Sequence, residues 1–352
     1  MENNKKKVLL GMSGGVDSSA AAILLRKQGY DVIGCTMILH DEEKSKTAIE
    51  DAKKVCEKIG IPHYIFDFQK DFKCEVIQKF IKEYENARTP NPCVECNKEL
   101  KFKRFYEKAK ELGCEYISTG HYAKIEYSEK YNQNVLRKSE ADKKDQTYFL
   151  YTIPKKELNN IIFPLENFKE KTEIREIVKK EELEVATKKD SQEICFIEDD
   201  DYKRFLIENM DRKPKKGNII LKTGEKLGVH DGLIYYTIGQ RKGIGISYKE
   251  PLYVVELREQ TNEVVVGTEE ELYANSLIAN ELNWQVFEKM PNEIKCFAKI
   301  RYRAKEARAI VKKIDQEKVE VIFDEPQRAI TKGQSVVFYD EEGIVLGGGK
   351  II

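Results

Sequence analysis

Apolar runs of strand length alternate with amphipathic stretches through the first third of the chain. Residues 7–12, 31–38, 63–68 and 115–119 are the apolar runs. Between them, 17–28, 47–59, 73–86 and 97–112 repeat apolar positions at three- and four-residue spacing, and Gly29, Gly60 and Gly113 close three of these segments. The alternation predicts an α/β fold whose N-terminal part is a doubly wound parallel sheet covered on both faces by helices. Sheets of this kind take ligands beyond the carboxyl ends of their strands, at the switch point. The turn after the first strand, Met37 after the second, and Gly120-His121-Tyr122 after a later one are therefore expected along one edge. Beyond about residue 205 the helical period gives way to short β segments with glycine turns, at 218–221, 233–238, 252–256, 263–267, 294–303, 309–314, 318–323 and 335–339. The expected organisation is an α/β domain over 1–207, a small β-rich central domain over 208–272, and a C-terminal β-barrel over 273–352.

At 352 residues and 41% apolar content, the chain can bury two or three cores. Its 61 basic and 61 acidic residues cancel, but not locally. Lys295, Lys299, Arg301, Arg303, Lys305, Arg308, Lys312 and Lys313 face a single acid, Glu306, within nineteen positions. Such a run reads either as a solvated strand face or as a grip for nucleic-acid phosphates. No stretch of about 18 apolar residues occurs and no signal-like segment opens the chain, so a cytoplasmic protein with no membrane partner is expected. In that compartment the eight cysteines are read as thiols before disulfides.

Two local motifs carry candidate chemistry. Gly11-Met12-Ser13-Gly14-Gly15-Val16-Asp17-Ser18 joins the first strand to the first helix. Its glycines let the backbone approach an oxyanion, the N–H groups at the helix start point outward, and Ser13, Ser18 and Ser19 add hydroxyls. No Gly-Lys-Ser/Thr follows, and the spacing is not Gly-x-Gly-x-x-Gly. Asp17 reads as a helix cap or as a group that handles phosphates, and a plain packing turn is the alternative to the whole motif. The second motif is Cys93-Val94-Glu95-Cys96, in a proline-stiffened loop before the 97–112 helix, where the helix dipole is expected to ease thiol ionisation. A single C-x-x-C is half a zinc site, and no second pair follows. Cys195 stands alone downstream and by itself reads as a core residue; Cys35, Cys56, Cys74, Cys114 and Cys296 read as packing residues.

The glycine turn resembles the SGGxDS loop of PP-loop ATP pyrophosphatases. Together with TPNPCVECNKELKF, STGHYA, KKDQTYFL, KDSQEICFI, YTIGQRKGIGI, FDEPQRAI and GQSVVFYD in this order, the chain resembles the bacterial tRNA-specific 2-thiouridylases over nearly its whole length. The resemblance implies an adenine-nucleotide α-hydrolase-like sheet, ATP and Mg2+ as cofactors, and 2-thiolation of the wobble uridine of tRNAs for Lys, Glu and Gln. It places ATP on Gly11, Met12, Ser13, Gly14, Gly15, Val16, Asp17, Ser18, Met37 and Gly120. It makes Cys96 the first catalytic cysteine and Cys195 the persulfide carrier, the two passing through a transient disulfide. It assigns tRNA contact to Asn91, Cys93, His121, Asp145, Gln146, Thr147, Arg301, Tyr302 and Gln334. A sulfur donor, such as a cysteine desulfurase or a sulfur-carrier protein, is implied as a partner.

One position departs from the family pattern: Cys93 stands where Asp is usual. A third thiol makes Cys93, Cys96 and Cys195 candidate ligands of a 4Fe-4S cluster with an open iron for sulfide, so both cluster-borne and persulfide sulfur stay open. The competing readings are another PP-loop adenylating enzyme acting on a small molecule, which would need no paired thiols, and a non-catalytic RNA-binding iron-sulfur protein, which would release no pyrophosphate.

Overall fold

The structure is a computed structural model and describes residues 5–40, 42–141, 144–188, 194–197 and 201–352. Two compact units share the chain. The first comprises Met1–Val76, Cys93–Gln192 and Glu342–Gly347; the second comprises Ile77–Pro92, Glu193–Glu341 and Gly348–Ile352.

In the first unit the strands are β1 (Lys7–Gly11), β2 (Asp31–Ile38), β3 (His63–Asp67) and β4 (Tyr116–Ser118), with a two-stranded hairpin of β5 (Lys124–Ser128) and β6 (Gln133–Arg137) and a short β7 (Ile161–Ile162). The main sheet has the order β3-β2-β1-β4-β7, and every pairing in it is parallel. Val8, Leu9 and Leu10 of β1 are wholly buried, as a central strand covered on both faces requires. The helices α1 (Val16–Lys27) and α2 (Glu42–Ile59) follow β1 and β2. Strand order runs outward in one direction from β1 to β3 and in the other through β4, so the switch point lies between β1 and β4. Gly120-His121-Tyr122 follows β4 at that edge, as the alternation predicts. Met37 does not follow β2 but lies inside it, because the strand runs on to Ile38.

After β3 a helical run divides into α3 (Gln69–Phe72), a π-helical piece (Lys73–Ile77) and α4 (Gln78–Glu85). A second run comprises α5 (Pro92–Cys96), a π-helical piece (Asn97–Arg104) and α6 (Phe105–Glu111). The C-x-x-C is therefore on a helix and not in a loop before one. Pro92 is why: proline lacks the N–H that the first helical position leaves unpaired, and its φ is already helical. The helix α7 (Lys171–Lys180), closed at its start by a Glu170–Glu173 capping box, completes the unit's core with Ile174 and Val178.

In the second unit, α8 (Tyr202–Asn209) packs Leu206 with Phe80 and Tyr84 of α4. A four-stranded sheet follows, in the order β10-β11-β8-β9, from β8 (Gly217–Leu221), β9 (Lys226–His230), β10 (Tyr253–Arg258) and β11 (Glu263–Gly267). The run 233–238, expected as a strand, instead forms a 3-10 turn at Leu233–Tyr235. It serves two cores: Ile234 joins the α4–α8 cluster and Tyr236 the sheet, and a short continuous apolar run does not by itself distinguish strand from turn. The remaining strands are β12 (Tyr273–Trp284), β13 (Glu293–Lys299), β14 (Ala307–Lys313), β15 (Val319–Arg328), β16 (Ser335–Tyr339) and β17 (Val345–Ile351), which close a barrel in the order β12-β15-β14-β13-β16-β17. The expected strand 294–303 stops at Lys299, and residues 300–303 turn.

Candidate active site

The turn between β1 and α1 is shaped by one glycine. Gly14 has φ 66°, and a Cβ there would lie 2.5 Å from the Ala48 carbonyl oxygen of α2. Only glycine lets the turn rest on that helix. Ser13 N–H donates to Ser18 Oγ at 3.2 Å, and the Ser18 and Ser19 hydroxyls donate to the Gly15 carbonyl at 3.2 and 2.8 Å. These serines tie the turn to the start of α1. Gly120 comes in from β4 so closely that a Cβ on it would sit 3.0 Å from Asp17 C and Ser18 N. On the other side, the Met37 methyl lies 3.4 Å from where a Gly11 Cβ would be. Residues 11–18, 37 and 120 therefore converge at the switch point.

Tyr122, expected at this edge, attaches to the turn, as do two side chains that no motif singles out, Lys171 and Lys188. The Asp17 carboxylate accepts from the Tyr122 hydroxyl at 2.8 Å and from the Lys171 ammonium at 2.5 Å. Lys188 donates to the Gly14 carbonyl at 3.1 Å and is ion-paired with Asp51. Arg175 of α7 holds the carbonyls of Ala186 and Lys188, at 2.5 and 2.7 Å. No local pattern marks Lys171 or Lys188, because their partners in the loop lie 154 and 174 positions away in the sequence.

The C-x-x-C helix reaches the same edge. Its far end feeds β4, so its first turns lie on the side of the sheet where the strands end. The Phe102 ring is 5.9 Å from the His121 ring, the residue after Gly120. Asn97, next to Cys96, donates to the Phe149 carbonyl at 3.2 Å. Cys96 is buried and Cys93 exposed. Burial raises the pKa of the Cys96 thiol, with Lys101 acting in the opposite direction. Easier ionisation, expected from the helix dipole, is not what the structure gives, because Cys96 lies beyond the first turn and its desolvation outweighs the dipole. Cys35, Cys56, Cys114 and Cys296 are buried as expected, and burial pushes the Cys56 and Cys296 thiols up to about 12. Cys74 is exposed and is not a packing residue. None of the eight cysteines is in a disulfide.

The residues expected to touch tRNA fall into two groups. In the first unit His121 is buried, bonded through Nδ1 to Thr119 Oγ1 at 2.7 Å, and its pKa is held well below the ordinary value by burial. Asp145 and Thr147 are buried and bonded to each other at 2.6 Å, while Gln146 accepts from the Tyr122 N–H at 2.9 Å. In the second unit Asn91 lies in the strap 86–91, between α4 and α5. Gln334 donates to the Thr89 carbonyl of that strap at 2.7 Å, and Thr89 N–H donates to Lys332 at 2.9 Å. The Arg301 guanidinium reaches the carbonyls of Ile238 and Ala329 at 3.3 and 2.9 Å and the Thr331 hydroxyl. The Tyr302 ring lies 5.6 Å from the Lys299 ammonium.

Cys195 belongs to the second unit and is exposed. The next residue anchors it: the Phe196 ring packs 5.4 Å from Phe80 and 5.2 Å from Phe205. Residues 189–193 of the same motif lie outside the described residues. Thiolates are suitable ligands for an iron-sulfur cluster, but among the described residues no three His, Cys, Asp or Glu side chains gather as a metal site. Cys93 and Cys96 lie in the first unit and Cys195 in the second. Nor, among the described residues, is any helix long and apolar enough to cross a membrane.

Comparison with known proteins adds the following. Residues 6–199 match a family model described as a tRNA methyl transferase HUP domain, 203–268 a tRNA methyl transferase PRC-barrel domain, and 274–351 an aminomethyltransferase β-barrel domain. A protein of Clostridium botulinum strain Alaska E43, named tRNA-specific 2-thiouridylase MnmA, is 50% identical over 361 residues, covering 100% of this chain and 99% of that protein. Its namesake from Clostridium beijerinckii is 50% identical over 99% of each chain. That of Clostridioides difficile strain 630 is 46% identical over 98% of each.

Proposed function

The chain belongs to the tRNA-specific 2-thiouridylase family, and from that membership we propose that it is a cytoplasmic tRNA-uridine 2-sulfurtransferase acting on the wobble uridine of tRNAs for Lys, Glu and Gln. The observation that carries the reading is the meeting, within one unit, of a glycine-shaped oxyanion turn and a C-x-x-C helix, linked by the consecutive residues Gly120 and His121. A small-molecule adenylating enzyme has no use for the second element.

The uracil C2 oxygen is a poor leaving group and must be activated. ATP does this when that oxygen attacks the α-phosphorus and pyrophosphate departs, with the N–H groups of the Gly14–Val16 turn holding the phosphates. Magnesium, when bound, would neutralise the polyphosphate, and Asp17, the one carboxylate of the turn, would share it. The terminal sulfur of a Cys195 persulfide then attacks C2, and AMP leaves. Cys96 attacks the inner sulfur, frees the thiolated base, and forms a Cys96–Cys195 disulfide that an external thiol reduces. The raised pKa of Cys96 suits a thiol that stays protonated until that late step. A wobble base is already unpaired, which lowers the cost of extruding it into such a site. A cysteine desulfurase or sulfur-carrier protein would load Cys195, whose exposure suits delivery from another protein.

The test is mass analysis of tRNA nucleosides after incubation with ATP and a persulfide donor. Wild type is expected to form 2-thiouridine, whereas Cys195→Ala is expected to release pyrophosphate in the presence of tRNA yet form none. Cys93→Asp, which restores the family's usual residue, is expected to keep thiolation. Wild type that makes no 2-thiouridine while releasing pyrophosphate with a small-molecule acceptor would overturn the reading.

A further inference from the structure

The turn that would receive the triphosphate contains no cation: its only charged residue is Asp17. Its capacity for an anion therefore rests on how its peptide groups are aimed. The Gly14–Gly15 peptide is the one least able to hold its own orientation, because neither flanking residue has a Cβ to restrict rotation of the plane between them. In a trans peptide the C=O and N–H point in opposite directions. A group that fixes one therefore aims the other.

The structure supplies such a group. Lys188 Nζ donates to the Gly14 carbonyl at 3.1 Å and is ion-paired with Asp51 of α2, the helix on which Gly14 rests. The Gly15 N–H, on the opposite edge of the same plane, has no partner among the described residues. Lys188 is itself held, since Arg175 donates to its carbonyl at 2.7 Å and to that of Ala186 at 2.5 Å. We infer that Lys188, braced by Asp51, is a positioning residue for ATP: it locks the Gly14–Gly15 peptide so that the Gly15 N–H faces the bound phosphates. A flip of that plane would put a carbonyl oxygen toward an anion. The ammonium also polarises the peptide, which strengthens the N–H as a donor. The inference rests on the reading that this turn binds ATP, and it adds a residue outside the motif that no property of the motif itself reveals.

The experiment compares wild type, Lys188→Met, Lys188→Arg and Asp51→Asn by calorimetric titration with ATP, inorganic pyrophosphate and adenosine. Lys188→Met is expected to weaken ATP and pyrophosphate about tenfold or more, the scale of one charge-assisted hydrogen bond, and to leave adenosine binding unchanged. Lys188→Arg, which keeps a cationic donor, is expected to recover most of that loss. Asp51→Asn is expected to have a smaller effect, and none when added to Lys188→Met. Equal pyrophosphate affinity in Lys188→Met and wild type would overturn the inference, as would a loss of adenosine affinity in step with pyrophosphate. Wild type binding neither ATP nor pyrophosphate would remove the underlying reading, and this inference with it.

Discussion

His121 illustrates how a single buried side chain can set a pH limit. Its folded pKa lies well below the ordinary 6.5, because the ring is buried and Lys101 opposes a second positive charge. The unfolded chain therefore binds the proton more readily, and stability contributed at neutral pH is lost as pH falls below about 6.5. Between pH 6.5 and 5 this group alone accounts for a loss of up to about 1.4 kcal/mol per pH unit. His63 and His230 are shifted in the same direction by burial. His121→Asn, which keeps a donor or acceptor near Thr119, is expected to flatten the acid side of the stability profile measured by urea unfolding at pH 7, 6 and 5. An unchanged slope would contradict it. The loop residues around His121 were legible in the sequence because glycine, serine and the preceding apolar strand are adjacent there. Lys171 and Lys188 were not, since side-chain partners so distant in sequence leave no local pattern.

At the scale of elements, the run from Pro92 to Glu111 is set by its π-helical middle, Asn97–Arg104. A π-turn carries one more residue than an α-turn, so it shifts the face presented by everything before it relative to everything after. Here it sets where Cys93 and Cys96 lie while Phe102 and Phe105 stay in the core. Deleting exposed Lys98 would return the segment toward α-helical register and rotate the thiols by about 100° about the axis. The expected outcome is a loss of 2-thiouridine formation of more than about tenfold, with pyrophosphate release less affected and the far-UV circular dichroism retained. Thiolation at the wild-type rate would show that this register is not needed. Apolar period revealed a helix here but not its π character, which depends on the tertiary packing of Leu100 and Phe102. The strand β12 was missed for a related reason: its first four residues are exposed and only Leu277 and Ala279 are buried, leaving little apolar signal.

For the whole molecule, part of the basic run lies on two paired barrel strands, β13 and β14, with Arg301, Arg303 and Lys305 in the turn between them. Lys295 and Arg308 are exposed, Phe297 is registered opposite Arg308, and the Arg308 guanidinium lies 5.9 Å from the Phe297 ring. If this face holds tRNA phosphates, binding must weaken with salt. Lys295→Glu with Arg308→Glu is expected to lower tRNA affinity at moderate ionic strength, to flatten the salt dependence, and to leave ATP affinity alone. Filter binding from 50 to 300 mM salt checks this; identical salt slopes would exclude the face. The barrel and the parallel sheet were each legible from period and glycine spacing. Their interleaving was not. Residues 342–347 belong to the first unit: the Lys138 N–H donates to the Gly343 carbonyl at 3.1 Å, and Arg137 pairs with Ile344. Because of that return, the nucleotide-binding half cannot be finished as it leaves the ribosome. It must wait, with its hairpin edge unpaired, until the barrel has been synthesised behind it. The half that would spend ATP is thus completed only once the half proposed to hold tRNA has been made.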